Sequence, residues 1–146
     1  MAPANRAHTG GCLCGAVRYT LSRRHLGAFN CYCGMCRKAH GGACSTHVPA
    51  RRDQFELHSG TLQSYASSAT GRREFCPACG THILVHGQTA DGSIAIPAGT
   101  LDGDPPVEVL AHIFCSDTVA WHEITDGLPR HATWPPGVSL PKGNGG

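Results

Sequence analysis

The stretch GGCLCGAVRYTL, residues 10–21, joins two features that decide the fold. Glycines flank Cys12 and Cys14 and allow the backbone to bend around the pair. Directly afterwards, from Val17 to Leu21, apolar side chains alternate with polar ones, which is the period of a strand with one buried face. The stretch therefore predicts a bent cysteine pair that leads into a β-strand.

The same alternation recurs along the chain and favours β structure. It is found in four further segments, residues 44–48, 81–85, 93–96 and 107–114. The chain holds 19 Gly and 10 Pro among 146 residues, and many of them mark turns between these segments. Only residues 37–40 indicate a helical turn. Short strands separated by frequent turns predict a single, mainly antiparallel β domain.

Most of the nine cysteines fall into three tight clusters. The clusters are Cys12/Cys14, Cys31/Cys33/Cys36 and Cys76/Cys79. Cysteines so close together are poor disulfide partners, since a disulfide needs a particular Cα separation, and an odd total leaves one thiol unpaired. The N-terminus also lacks the apolar run of a signal peptide, so we expect a reducing, cytoplasmic setting. The clustered thiolates match the needs of one closed zinc site with four ligands and one open site with three.

The segment CPACG, residues 76–80, is the strongest single metal-binding motif. Two residues between cysteines let a tight turn aim both sulfurs at one ion, and the glycine that follows can adopt a positive φ. Cys12 and Cys14, which are similarly flanked by glycine, are natural partners for this pair in a four-cysteine site. The spacing leaves an alternative open, in which Cys33 and Cys36 join the CPACG segment in a zinc ribbon.

The third cluster predicts a site of a different kind. Its three cysteines lie within one short loop, and Gly34 lets the chain fold so that their sulfurs converge. Such a loop predicts a half-exposed cup that leaves one coordination position of a metal open. The site would instead be closed, and only structural, if a nearby side chain supplied a fourth ligand. Candidates for that ligand are Cys44, His40, His47 and His112, and the spacing does not decide between the two forms.

The charge pattern excludes some classes of function. The formal net charge is +2 with histidine neutral, and the basic residues are scattered in pairs rather than gathered in a long run. This argues against a nucleic-acid-binding surface. No apolar stretch approaches the ~20 residues of a membrane-spanning helix, so we expect no membrane partner.

Several blocks of sequence occur in an order that resembles a known family. They are residues 10–19, 31–38, 73–81, 98–102, 112–113 and 121–129. Together these blocks resemble the glutathione-dependent formaldehyde-activating enzyme family, which includes the centromere protein V-like proteins. The similarity covers residues 10–129, which leaves residues 1–9 as an N-terminal extension and residues 130–146 as a Pro/Gly-rich tail.

The resemblance implies a β-tent fold of the Mss4-like type and two zinc ions per chain. It places a structural zinc on two cysteine pairs, here Cys12, Cys14, Cys76 and Cys79. It places a catalytic zinc on the remaining cluster, here Cys31, Cys33 and Cys36.

The activity that the resemblance implies is that of a carbon–sulfur lyase of the S-(hydroxymethyl)glutathione synthase type. In this reaction a zinc-bound thiol, that of glutathione as co-substrate, adds to formaldehyde or another small aldehyde. The alternative is a non-catalytic zinc-binding module that binds a thiol, a protein or a nucleic acid.

Charged and titratable residues near the third cluster are candidates for catalysis. Arg37 is a candidate to pair with the sulfurs or with a carboxylate of glutathione, and Lys38 is a candidate for the second role. His40 and His47 are candidate proton donors that face the open site.

Other conspicuous side chains are expected to be structural. His82 and His86 lie ~13 Å apart on a predicted strand, too far to share a metal ion. Trp121 is expected to pack in the core. Cys44 and Cys115 are expected to be buried small apolar side chains.

Overall fold

The computed structural model describes residues 7–87 and 92–136, and it confirms the predicted mainly β fold. Its strands are β1 (Ala7–Gly11), β2 (Arg18–Ser22), β3 (Leu26–Cys31), β4 (Ser45–Ala50), β5 (Phe55–Ser59), β6 (Gln63–Tyr65), β7 (Arg72–Phe75), β8 (His82–His86), β9 (Ile94–Pro97) and β10 (Val107–Ile113). The α-helix α1 (Gly34–His40) follows β3, and 3-10 turns lie at Arg52–Gln54, Ala98–Thr100 and Cys115–Asp117. Among the described residues, no helix has the length and apolar character needed to cross a membrane.

The strands form a small sheet and a large sheet. The small sheet has the order β1-β2-β5, and the large sheet has the order β10-β3-β4-β9-β8-β7-β6. Neighbouring strands are antiparallel, except that β3 and β10 run parallel. The sequence did not predict the parallel pair, because strand direction depends on the path of the chain between the strands rather than on alternation.

One buried apolar cluster joins the two sheets. Tyr19 and Leu21 of β2 enter it from the small sheet, while Val48, Ile83 and Ile96 enter it from the large sheet. Successive side chains of a strand point to opposite faces, so the alternation seen in the sequence is the mark of this shared core. The core holds both sheets in place around the cysteine clusters.

The helix α1 begins at Gly34 rather than at the predicted Arg37. The earlier start follows from Cys33, which is the N-cap residue and whose Sγ accepts a hydrogen bond from the backbone N–H of Cys36 at 3.4 Å. The helix ends at His40 and is capped by Gly41, which has a φ of 73° that glycine adopts without strain. The cap therefore fixes two cysteines of the third cluster within one helical turn.

Three side chains that were expected in the core lie outside it. Trp121 is 72% exposed, because it follows β10 in a segment outside both sheets. Cys44 lies in the loop before β4 and Cys115 in the 3-10 turn after β10, so both are only half-buried. The expectation of core packing was wrong for all three.

The chain returns alongside β10 after Trp121. The N–H of His112 donates to the carbonyl of Pro129 at 2.9 Å, and the N–H of Phe114 donates to the carbonyl of Thr133 at 3.0 Å. The first part of the predicted tail thus packs against β10, while residues 137–146 lie outside the described residues. At the other end β1 begins at Ala7, within the predicted extension, of which residues 1–6 are outside the description.

Candidate metal centres

Cys12, Cys14, Cys76 and Cys79 form a four-cysteine cluster between the two sheets. Their Sγ atoms all lie within 4.8 Å of one another. The Sγ of Cys14 lies 3.6 Å from that of Cys12 and 3.9 Å from that of Cys76. A tetrahedral zinc with Zn–S bonds of ~2.3 Å places neighbouring sulfurs about 3.8 Å apart. The donor type and the spacing both fit a structural zinc.

Tight turns bring these sulfurs together. In the first turn the N–H of Gly15 donates to the carbonyl of Cys12 at 3.1 Å, and in the second the N–H of Gly80 donates to the carbonyl of Cys76 at 2.8 Å. Gly15 and Gly80 have φ values of 82° and 80°, which explains why glycine follows each cysteine pair. The two loops therefore repeat one local geometry.

The hydroxyl of Thr81 links the two loops. Its Oγ1 accepts a hydrogen bond from the N–H of Leu13 at 3.1 Å and lies 3.2 Å from the Sγ of Cys79. Hydrogen bonds from the side chain and backbone of Thr81 lower the pKa of Cys79 to about 5. A cysteine that is readily ionised is a good metal ligand, because only the thiolate binds the metal.

Cys31, Cys33 and Cys36 form a second group, which we call the cup. Cys31 ends β3, Cys33 caps α1 and Cys36 lies in its first turn, so that the three Sγ atoms are within 4.8 Å of one another. The cup is not half-exposed as expected: its cysteines are only 4% to 6% exposed. They are covered because Ile113 and Phe114, at the end of the neighbouring β10, pack against them.

No fourth ligand completes the cup within residues 7–87 and 92–136. No other cysteine, histidine or carboxylate there has a ligand atom within 4.8 Å of all three sulfurs. His112 is engaged elsewhere, since its Nε2 hydrogen-bonds to Asp126 at 2.9 Å and its Nδ1 to the hydroxyl of Tyr32 at 3.3 Å.

The sulfurs of the cup compete for protons. Hydrogen bonds from Cys31 and Cys36 lower the pKa of Cys33 to about 2, whereas contacts with Cys33 and Cys36, together with burial, raise the pKa of Cys31. The cup thus stabilises one thiolate, and all three sulfurs can ionise together only beside a cation. A soft divalent ion such as zinc fits this donor set.

A buried arginine that the sequence reasoning did not single out contacts the cup. Arg73 is 3% exposed, and its Nη2 donates to the Sγ of Cys36 at 3.6 Å. The predicted arginine, Arg37, instead donates through Nε to the carbonyl of Tyr32 at 3.2 Å. Lys38 is exposed on α1. The only signal for Arg73 was its place in a block shared with the resembled family.

Three histidines gather beside Arg73. The ring centroid of His40 lies 5.4 Å from that of His47 and 5.1 Å from that of His82. Burial, followed by nearby positive charge, lowers the pKa of His40 to about 4 and that of His47 to about 3. These histidines are therefore neutral at pH 7. His86 lies apart and hydrogen-bonds to Glu74 at 2.5 Å, and no metal group among the described residues includes it.

A cavity of about 90 Å³ opens beside the cup. The three cup cysteines, His47 and Arg73 line it. Its remaining walls are mainly apolar and include Phe29, Val85, Ile94, Phe114 and Trp134. The structure thus brings His47 to the same cavity as the cup, whereas His40 contacts the ring of His47 but does not line the cavity.

The chain is thus a mainly β protein with two cysteine groups that could each hold a metal ion, a four-cysteine cluster and a three-cysteine cup beside a cavity. The chain belongs to the glutathione-dependent formaldehyde-activating enzyme family, whose sequence pattern matches residues 7–117. The resemblance noted from the sequence blocks is thereby confirmed.

Two individual proteins are similar to this chain. A Halomonas elongata protein, whose name provisionally describes it as a glutathione-dependent formaldehyde-activating enzyme, is 30% identical over 126 residues, with 79% of each chain covered. A Rhodobacter sphaeroides protein, solved by crystallography in a structural genomics programme, has a TM-score of 0.58 at 23% identity. The match covers 67% of this chain and 91% of that one, and it supports the fold alone.

Proposed function

We propose that this protein is a zinc-dependent carbon–sulfur lyase that works in the synthetic direction, as an S-(hydroxymethyl)glutathione synthase does. It would add the thiol of glutathione to formaldehyde or another small aldehyde. One observation carries the proposal: three convergent cysteines line a cavity, and no fourth ligand joins them among the described residues. Family membership supports the same activity.

The cysteine clusters would hold the two zinc ions in different roles. The four-cysteine cluster would hold a structural zinc, because its donors already suffice for a closed tetrahedral site. Cys31, Cys33 and Cys36 would hold the catalytic zinc. Bound there, zinc would supply an open position that favours the ionised form of an incoming thiol.

The cavity walls would assist the reaction by their charge and polarity. Three thiolates with one divalent ion leave one net negative charge, and the guanidinium of Arg73 beside Cys36 offsets it. The apolar side chains that line the cavity limit access of water to the reacting groups. Substrates held side by side in such a small space react faster, since little translational freedom is left to lose.

His47 is the proposed proton-transfer residue. As sulfur adds to the carbonyl carbon, the carbon–sulfur bond forms, the π bond of the carbonyl breaks, and its oxygen takes up the proton that the thiol releases; His47, neutral at pH 7, would relay that proton. His47 lines the cavity, and its Nε2 lies 2.6 Å from the hydroxyl of Ser45, which can share the proton. His40 packs edge-on against the ring of His47 and orients it. Arg37 and Lys38, on the helix that begins at the cup, are the proposed partners of the glutathione carboxylates.

The test compares the catalysed reaction with the spontaneous one. Exchange between glutathione and formaldehyde is followed by NMR, with and without the zinc-loaded protein. We expect acceleration above the uncatalysed rate, two zinc ions per chain, and loss of both the second zinc and the acceleration in Cys33→Ser.

The matched control is Cys115→Ser, which changes a half-buried cysteine outside both clusters and should leave rate and zinc content unchanged. An exchange rate equal to the spontaneous rate in fully loaded protein would rule out catalysis and favour the non-catalytic zinc module.

A further inference from the structure

Arg73 carries a buried positive charge, and no carboxylate of residues 7–87 and 92–136 forms an ion pair with it. Its Nε and Nη1 have no hydrogen-bond partner among the described residues, although both atoms are buried. The acidic residue next to it, Glu74, points to the other face of β7 and pairs there with His86 and Arg72. A buried charge with unused donors is costly, so such a group in a folded protein calls for a partner.

The contact with the Sγ of Cys36 uses only one of the hydrogen-bond donors of the Arg73 guanidinium group. Arg73 donates through Nη2 to Cys36, whereas an arginine has five N–H donors in a planar fork. The nearby histidines do not supply a negative charge that could pair with Arg73. The pKa values of His40, His47 and His82 are lowered, mainly by burial and further by positive charge that includes that of Arg73, so these rings are neutral.

The cavity beside Arg73 determines what kind of partner fits. Arg73 lines this cavity together with the cup, and most of the other lining side chains are apolar. A volume of about 90 Å³ holds a small molecule, or only the thiol-bearing part of a larger one such as glutathione. A ligand with a carboxylate at one end and a short apolar body matches both the charge and the walls.

We propose that Arg73 and the apolar cavity beside the cup form a binding site for a small organic carboxylate. The carboxylate accepts hydrogen bonds from the unused donors of Arg73, and its short carbon chain packs against side chains such as Phe114 and Trp134. That this carboxylate belongs to a substrate rests on the proposed function. The cavity then selects thiols or aldehydes that bear a carboxylate a few carbons from the reacting group.

Calorimetric titration tests the site without any catalysis. Zinc-loaded protein is titrated with butyrate and with butyramide, which have the same carbon skeleton but differ in charge. We expect butyrate to bind more tightly, and Arg73→Met to weaken butyrate binding roughly tenfold to hundredfold while leaving butyramide unchanged.

Arg72→Met is the matched control, because Arg72 is the exposed neighbour on the opposite face of the same strand, and it should bind butyrate like the wild type. If Arg73→Met loses zinc or fails to fold, Arg73→Gln removes the charge while keeping a donor that can reach toward Cys36. Equal binding of butyrate and butyramide by the wild type, or an unchanged preference in the folded neutral variant, overturns the proposal.

Two rate measurements then identify the source of the carboxylate. One uses 3-mercaptopropionate with formaldehyde, and the other uses 2-mercaptoethanol with glyoxylate. Losing the Arg73 charge beside Cys36 should slow both pairs, so the comparison is between the two losses: a larger loss for the first pair assigns the carboxylate to the thiol, and a larger loss for the second assigns it to the aldehyde. If neither pair reacts faster than without protein, the proposed function fails, while the titration still decides on the binding site.

Discussion

At the scale of single residues, the hydroxyl group of Thr81 connects the two loops of the four-cysteine cluster, a candidate metal site. Its oxygen accepts a hydrogen bond from the backbone N–H of Leu13 in the first loop and contacts the sulfur of Cys79 in the second. Groups that hydrogen-bond to metal ligands orient those ligands and tune their charge. Thr81 therefore belongs functionally to the four-cysteine cluster, although it provides no ligand itself.

Replacing Thr81 with valine should weaken zinc binding at this cluster roughly tenfold to hundredfold, because the isosteric side chain cannot hydrogen-bond. The measurement is competition with a chromophoric chelator, carried out in a Cys33→Ser background so that only the four-cysteine site binds zinc. Thr61→Val, at an exposed position outside both clusters, is the control and should bind zinc unchanged. Equal zinc affinity in the two variants would contradict the role given to Thr81.

The residue scale also separates what the sequence could predict from what it could not. The cup was predictable because its three cysteines are local in sequence and a glycine allows the turn. Arg73 was not, because it meets Cys36 across a separation of 37 residues, and no pattern of spacing encodes such a contact. Burial of the cup was missed for the same reason, since β10 covers it from a distant part of the chain.

At the scale of elements, the side chain of Tyr19 in β2 lies against Gly10 in β1. Gly10 is the register partner of Tyr19, whose ring lies where a Cβ on Gly10 would point. Tyr19 is held in place from two sides, because its ring stacks on Phe55 at 5.1 Å and its hydroxyl hydrogen-bonds to Thr100 at 2.7 Å. From the sequence, the glycine pair at residues 10 and 11 predicted only a bend of the backbone. In the structure Gly10 lies within β1, at a position where only a residue without a side chain fits.

Gly10→Ala should therefore destabilise the protein by about 1 to 3 kcal/mol through overpacking. The added Cβ would lie 2.6 Å from the carbonyl oxygen of Thr100 and would also meet the ring of Tyr19, so the strand or the ring must shift. Urea unfolding measures the loss. Gly99→Ala is the control, since a Cβ there has no neighbour within 4 Å, and a comparable loss in both variants would refute the packing argument.

At the scale of the whole molecule, the two cysteine groups connect different lengths of chain. The four-cysteine cluster joins the end of β1, in the small sheet, to the ends of β7 and β8 in the large sheet, and Cys14 and Cys76 are 62 residues apart. The cup joins only neighbouring residues at the end of β3 and the start of α1. A metal ion in the four-cysteine cluster would therefore cross-link the two sheets, whereas one in the cup would not.

Zinc in the four-cysteine cluster should consequently stabilise the fold more than zinc in the cup. Closing a loop of 62 residues removes about 4 kcal/mol of chain entropy from the unfolded state, and closing the short loop of the cup removes about 2 kcal/mol. The test measures the free energy of unfolding before and after chelation in Cys33→Ser, which keeps the four-cysteine cluster, and in Cys14→Ser, which keeps the cup. Because each variant is compared with itself, the cost of the serine substitution itself cancels, whether the position is buried, as at Cys33, or exposed, as at Cys14. Chelation should lower the free energy of unfolding more in Cys33→Ser than in Cys14→Ser. The reverse order would show that metal in the cup stabilises the fold more than metal in the cluster between the sheets.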